Sequence, residues 1–181
     1  VEDGVVLLPM TAGSVVLSYN LPELEGPLKL SREAYANIFL GKISNWNDAA
    51  LASVNPDLTL PDLPITVVRR ADSSGTTYVF TNHLSAISEE FANGPGVGKT
   101  VTWPESDKFI AAPKNDGVTA TLMQTPGAIG YIEFGFAEQA KLPMAELENS
   151  AGMYVSPTLE NAKAALAGVE MPEDLRAWLP D

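Results

Sequence analysis

The chain contains no cysteine. Disulfides, thiolate metal sites and cysteine nucleophiles are thereby excluded, while any compartment stays open, an oxidising one included. Histidine occurs once, at His83, so a His-based metal site or a Ser–His pair lacks its parts; His83 reads as a half-buried helix residue. No apolar run approaches the roughly 18 residues of a membrane helix; Val15-Val16-Leu17 is cut by Ser18, and the chain reads as soluble. Basic residues are scarce, 11 against 23 acidic ones, for a formal charge of −12. That field repels nucleic-acid phosphates and anionic lipid. It opposes a small anion too, so an anion site here needs donors gathered locally. The start, Val1-Glu2-Asp3-Gly4, is acidic where a secretion signal is basic, and is not Met; the expectation is that something upstream has been removed.

What is present is a globular composition, 45% hydrophobic over 181 residues, enough for one domain with a core. Pro and Gly punctuate the chain without repeats. Val5 to Leu8 is an apolar run stopped by Pro9. Strands are expected at Ser14–Tyr19, Leu28–Leu30, Ile65–Val68, Phe109–Ala112 and Ala128–Ile132, from their β-branched and apolar content. Helices are expected after Ser31, over Asn47–Val54, after Ser74 with Phe80, Leu84 and Ile87 on one face, and over Ser88–Ala92. Further helices are expected from a cap at Asn115 or Asp116, over Gly135–Lys141, and after Ser156-Pro157 with Leu159, Ala162 and Leu166 turned inward. Strands alternating with helices predict an α/β domain with a largely parallel sheet.

The sharpest local feature is Arg70-Ala71-Asp72-Ser73-Ser74-Gly75-Thr76-Thr77, between a strand and a helix. The first amides of a helix lack internal partners and carry partial positive charge, so they suit an anion. Ser74 and Thr76 add hydroxyls, Gly75 allows close approach to the backbone, and Arg70 can grip an oxyanion with two N–H bonds. Asp72 is near enough to orient Arg70. A helix start capped by its own serine, with Arg70 and Asp72 as a surface ion pair, fits the same residues. Gly94 to Thr100 imitates a nucleotide-binding loop. Its spacing is one residue short, a helix precedes it and Trp103-Pro104 follows closely, so it reads as a flexible surface loop. Glu89-Glu90 and Glu23/Glu25 read as solvated, and nothing selects a carboxylate pair for hydrolysis. Trp46, Trp103 and Trp178 read as packing residues.

Several separated motifs resemble the phosphate-binding proteins that serve bacterial phosphate ABC transporters. They run from Gly13-Ser14-Val15-Val16-Leu17 and Tyr19-Asn20-Leu21-Pro22, through Ile38-Phe39-Leu40-Gly41-Lys42-Ile43 with Trp46-Asn47-Asp48, to Val67-Val68-Arg69-Arg70-Ala71-Asp72 with Ser74-Gly75-Thr76. Thr102-Trp103-Pro104, Asn115-Asp116-Gly117 and Pro126-Gly127-Ala128-Ile129-Gly130-Tyr131-Ile132-Glu133 continue the order. The resemblance implies a type II periplasmic-binding-protein architecture, of which residues 1–181 would be the second of two lobes, with hinge segments near both ends. It implies Arg70, Ser74, Gly75 and Thr76 as phosphate ligands and Asp72 as the partner of Arg70. Ser73 stands where better-known members have Gly. The ligands of the first lobe, including a carboxylate that accepts the anion's proton, would lie outside this chain. No catalytic residue, cofactor or metal is implied. The implied partners are inorganic phosphate and the membrane permease of the transporter, with the protein a periplasmic or extracytoplasmic monomer. Other readings are a lobe for sulfate, molybdate or an organic phosphate, a phosphohydrolase using the same loop, and a secreted adhesion or scavenger protein.

Overall fold

Residues 12–169 are described by a computed structural model; the Val5–Leu8 run and Trp178 lie outside them. The main sheet is built from β1 (Val15–Tyr19), β3 (Thr66–Arg70), β4 (Phe109–Ala112) and β5 (Ala128–Glu133), in the order β1-β5-β3-β4. β3 runs parallel to both β4 and β5, and β1 closes one edge antiparallel to β5. The expected largely parallel sheet is therefore present. A smaller sheet joins β2 (Lys29–Leu30), the strand expected at Leu28–Leu30, to β6 (Glu146–Glu148) and β7 (Tyr154–Val155), which the sequence did not announce. These strands have three residues or fewer, too short to carry a period-2 signal.

Successive strand side chains point to opposite faces, and each face has its own core. Leu17, Tyr19, Val67, Ile129 and Tyr131 pack with α1 (Arg32–Phe39), α3 (Gly75–Ile87) and α4 (Glu89–Asn93) through Tyr35, Ile38, Phe39, Phe80, Leu84 and Phe91. Val16, Val68, Ala128 and Ile132 pack on the other side with Val118 and Leu122 of α5 (Lys114–Gln124) and Ala137 of α6 (Phe134–Ala140). Trp46 and Trp103 are both buried in the first core, as expected of packing residues. His83 is half-buried on α3, and its Nε2 lies 2.7 Å from the Tyr35 hydroxyl. No described helix is long and apolar enough to cross a membrane.

Helix starts follow their caps. The Ser31 hydroxyl accepts from the Ala34 amide at 3.2 Å and opens α1. Asp48 caps α2 (Ala49–Ala52), shorter than the Asn47–Val54 helix expected, because Asp48 and Ser53 bracket it. Two expectations fail. α5 begins at Lys114 after Pro113, two or three residues earlier than a cap at Asn115 or Asp116 would place it. α7 (Leu159–Ala167) is capped by Thr158, not Ser156, and its supposed inner face is open. Leu159 is 61% and Leu166 44% exposed, and no residue of this helix is buried. The apolar spacing was helical, as read; of the expected inner face, Ala162 is half-buried while Leu159 and Leu166 face outward.

Candidate functional site

Arg70 is the last residue of β3, and the first turn of α3 starts at Gly75. The loop between them leaves the carboxyl ends of the parallel strands, where open α/β sheets hold ligands. Three contacts fix its course. The Ala71 amide donates to the Ala112 carbonyl at 2.9 Å, and the Ser74 amide to the Lys99 carbonyl at 2.9 Å. The Ser74 hydroxyl accepts from the Thr77 amide at 3.1 Å, capping α3. Ser73 has no left-handed backbone angle, so a serine sits there without strain.

The Gly94–Thr100 segment is a loop, as read, but it is tied down rather than loose. Besides Lys99, its Gly98 bonds through both amide and carbonyl to the Thr81 hydroxyl of α3, each at 3.2 Å. Its part is to brace the Arg70–Thr77 loop from behind. Only tertiary contacts reveal that; no local motif encodes it.

Arg70 and Asp72 form a two-pronged ion pair, Nε to Oδ1 at 2.9 Å and Nη2 to Oδ2 at 2.7 Å. The Arg70 side chain is only 8% exposed. This pairing adds one detail to the sequence reading. The side edge of the guanidinium is spent on Asp72, so an oxyanion would meet the outer edge formed by Nη1 and Nη2. Nη1 faces Thr76 Oγ1 at 3.5 Å and Asn115 Oδ1 at 3.4 Å. Asn115, expected as a cap, is thus a neighbour of the guanidinium. Arg69 stays apart, its Nη1 donating to the Arg70 carbonyl at 3.3 Å.

Asp72 also accepts from the Lys114 amide at 3.0 Å. This explains the early start of α5: its first amide is satisfied by a carboxylate from 42 residues upstream. Lys114 takes a left-handed φ of +55°, a conformation that costs a side-chain-bearing residue about 1 to 2 kcal/mol. The Arg70 guanidinium, and then the Lys114 amide, hold the Asp72 carboxyl well below the usual carboxylate range. A carboxyl lowered on folding stabilises the native state above its unfolded pKa. That contribution is lost as pH falls through the native value. The stability share of Asp72 is therefore complete above about pH 4 and declines below it. Asp72→Asn should flatten the acid limb of urea stability measured from pH 2 to 5; an unchanged slope would show that the pair is not coupled to folding.

The remaining donors are unspent. Among the described residues, the amides of Gly75 and Thr76 have no hydrogen-bond partner. The hydroxyls of Ser74 and Thr76 each accept one bond and keep a proton to donate. Gly75 is exposed, and a Cβ built on it meets nothing within 4 Å. Space beside the backbone is thus open, as a close-approaching ligand needs. Arg70, Ser74, Gly75, Thr76 and Asp72 are brought together as the sequence suggested. Sequence reasoning missed Tyr131, whose hydroxyl accepts from the Arg70 amide at 3.1 Å and shares a 2.8 Å hydrogen bond with Thr77 Oγ1. Among the described residues, no cluster of three or more metal-binding side chains is present.

Among the described residues the loop gathers donors around one guanidinium, with Asp72 paired to it, an arrangement that suits a tetrahedral oxyanion. A family model described as a PBP superfamily domain matches residues 2–180. The Phosphate-binding protein PstS of Methanocaldococcus jannaschii is 46% identical over 167 residues, covering 90% of this chain and 43% of that protein. The PstS of Xylella fastidiosa is 42% identical over 170 residues, covering 93% of this chain and 46% of that protein. A high-affinity periplasmic phosphate-binding protein solved with phosphate superposes with a TM-score of 0.71 at 27% identity, over 88% of this chain and 44% of that one. A phosphate transport receptor from Vibrio cholerae gives a TM-score of 0.58 at 21% identity, over 83% of this chain and 51% of its own, and so supports the fold. The chain spans about half the length of the curated relatives it matches. With this α/β architecture and these matches along nearly its whole length, the chain belongs to the PBP superfamily and is similar within it to phosphate-binding proteins.

Proposed function

We propose that this chain is one lobe of a two-lobed, extracytoplasmic phosphate-binding protein, and that Arg70, Ser74, Gly75 and Thr76 are its half of the phosphate site. Asp72 holds Arg70 in place. The observation that carries this reading is the 3.5 Å approach of Arg70 Nη1 to Thr76 Oγ1. It joins the guanidinium to a helix start whose first amides are unspent. Arg70 supplies charge, Ser74 and Thr76 hydroxyl protons, and the Gly75 and Thr76 amides the helix-terminal donors. These groups are donors suited to holding an anion, and the role proposed for them is capture. The anion would be enclosed when a second lobe closes over it, and then released to the membrane permease of a phosphate ABC transporter. The chain's charge of −12 disfavours self-association and fits a monomer.

Closure supplies half the ligands and excludes water. The 181-residue chain alone should therefore bind inorganic phosphate only at about millimolar levels or weaker, and the full-length protein far more tightly. Calorimetric titration of both compares them directly. Micromolar binding by the isolated chain would overturn the half-site reading, and equal displacement by sulfate in the full-length protein would overturn the choice of anion.

A further inference from the structure

Arg70 and the helix that carries Ser74 and Thr76 arise from different layers of the fold. A site for one small anion needs their separation held to a fraction of an ångström. The Arg70–Asp72 pair cannot do this, because it aims the guanidinium but makes no bond to α3. The Nη1 contacts to Thr76 and Asn115 are long, at 3.5 and 3.4 Å, close to the limit of a hydrogen bond. A shorter linkage lies beneath, buried from Tyr131 through Thr77 to Ser74. The Tyr131 hydroxyl accepts from the backbone amide of Arg70 and is bonded to Thr77 Oγ1. The amide of Thr77 in turn donates to Ser74 Oγ. Three consecutive bonds of 3.1, 2.8 and 3.1 Å thus run from Arg70 through Tyr131 and Thr77 to Ser74.

The ring that carries this hydroxyl is itself fixed. Tyr131 is fully buried in β5, stacked on Phe80 of α3 at 4.7 Å and on Trp103 at 5.9 Å. Phe80 also belongs to the helix that begins at the site. Ring and hydroxyl therefore both reference the position of α3 to the sheet. Resting on the phosphate-site reading above, we infer that Tyr131 is a positioning residue. Its hydroxyl, through Thr77, sets the distance between the Arg70 guanidinium and the Ser74–Thr76 donors, and touches no ligand itself.

Tyr131→Phe keeps the stacked ring and removes only the hydroxyl. In the full-length protein, phosphate titrated calorimetrically well below the melting temperature should bind this variant about five- to tenfold more weakly, the scale of one lost hydrogen bond. Loss of folding stability alone leaves the affinity of the folded fraction unchanged at that temperature. Thr77→Val should cost a similar factor and Thr77→Ser should restore most of it. The Tyr131→Phe/Thr77→Val double variant should be no worse than Tyr131→Phe alone, because that change already removes the bond that Thr77→Val breaks. Wild-type affinity in Tyr131→Phe, with Ser74→Ala still impaired, would overturn the positioning role and leave the phosphate site standing. Unimpaired binding in both Ser74→Ala and Arg70→Ala would overturn the site itself.

Discussion

Arg70→Ala in the full-length protein should weaken phosphate binding by at least about 100-fold, because two charge-assisted bonds, worth roughly 1.5 to 3 kcal/mol each, are lost together. The loss should exceed that of any single hydroxyl variant for a second reason. Asp72 now gives both its oxygens to the guanidinium. Without Arg70 it keeps only the Lys114 amide, its charge stands unneutralised beside the anion, and the protein's net charge already repels one. Removing Asp72 as well should therefore recover part of the loss, so that Arg70→Ala/Asp72→Ala binds better than Arg70→Ala. Arg70→Lys should rescue little, since a single ammonium cannot hold Asp72 on one edge and an oxyanion on another. Phosphate titrations across the four proteins test this. Arg70→Ala within threefold of wild type would remove Arg70 from the site.

The largest expected loss of stability lies at the opposite end of the sheet. Gly127 has a φ of +80°, and a Cβ there would sit 2.6 Å from the Pro64 carbonyl oxygen and 3.0 Å from Leu63. The same residue joins three segments. Its amide donates to the Asn20 carbonyl at 2.8 Å, and its carbonyl accepts from the Thr66 amide at 3.0 Å and from Trp46 Nε1 at 2.9 Å. Gly127→Ala adds left-handed strain of about 1 to 2 kcal/mol and overpacking of about 1 to 3 kcal/mol. A thermal melt should show the midpoint roughly 10 °C lower, given a few degrees per kcal/mol at this size. A midpoint within about 2 °C of wild type would mean that the Pro64 segment yields freely, contrary to its close packing.

What the sequence disclosed follows from how far each interaction reaches along the chain. Ser31, Ser74 and Ser88 each cap a helix that begins at the next residue, so a local reading finds them. The anion loop was legible for the same reason, its donors lying within seven residues. The start of α5 was not, because its first amide is satisfied by Asp72 and not by a neighbour. Tyr131 looked like one more apolar strand residue, and only the parallel pairing of β3 with β5 brings it under Arg70. Lys99 and Gly98 resembled a failed nucleotide loop until their partners on α3 were known. Spacing predicted the α7 helix but could not say whether anything would cover Leu159 and Leu166.

The strand pairings also set an order of events in synthesis. Among the described residues, β1 has β5 as its main-sheet neighbour, with Val15 opposite Glu133, and β2 waits about as long for β6, with Lys29 opposite Glu146. Pairings this distant in sequence slow folding, because long loops must close before contacts reward them. A nascent chain that has not yet emerged past residue 133 leaves Val16, Leu17 and Tyr19 without the strand that buries them. It also leaves Arg70 without the Tyr131 hydroxyl that anchors its amide. Until then the chain presents apolar strand edges of the kind that chaperones hold, and the anion loop lacks the anchor that fixes its arginine.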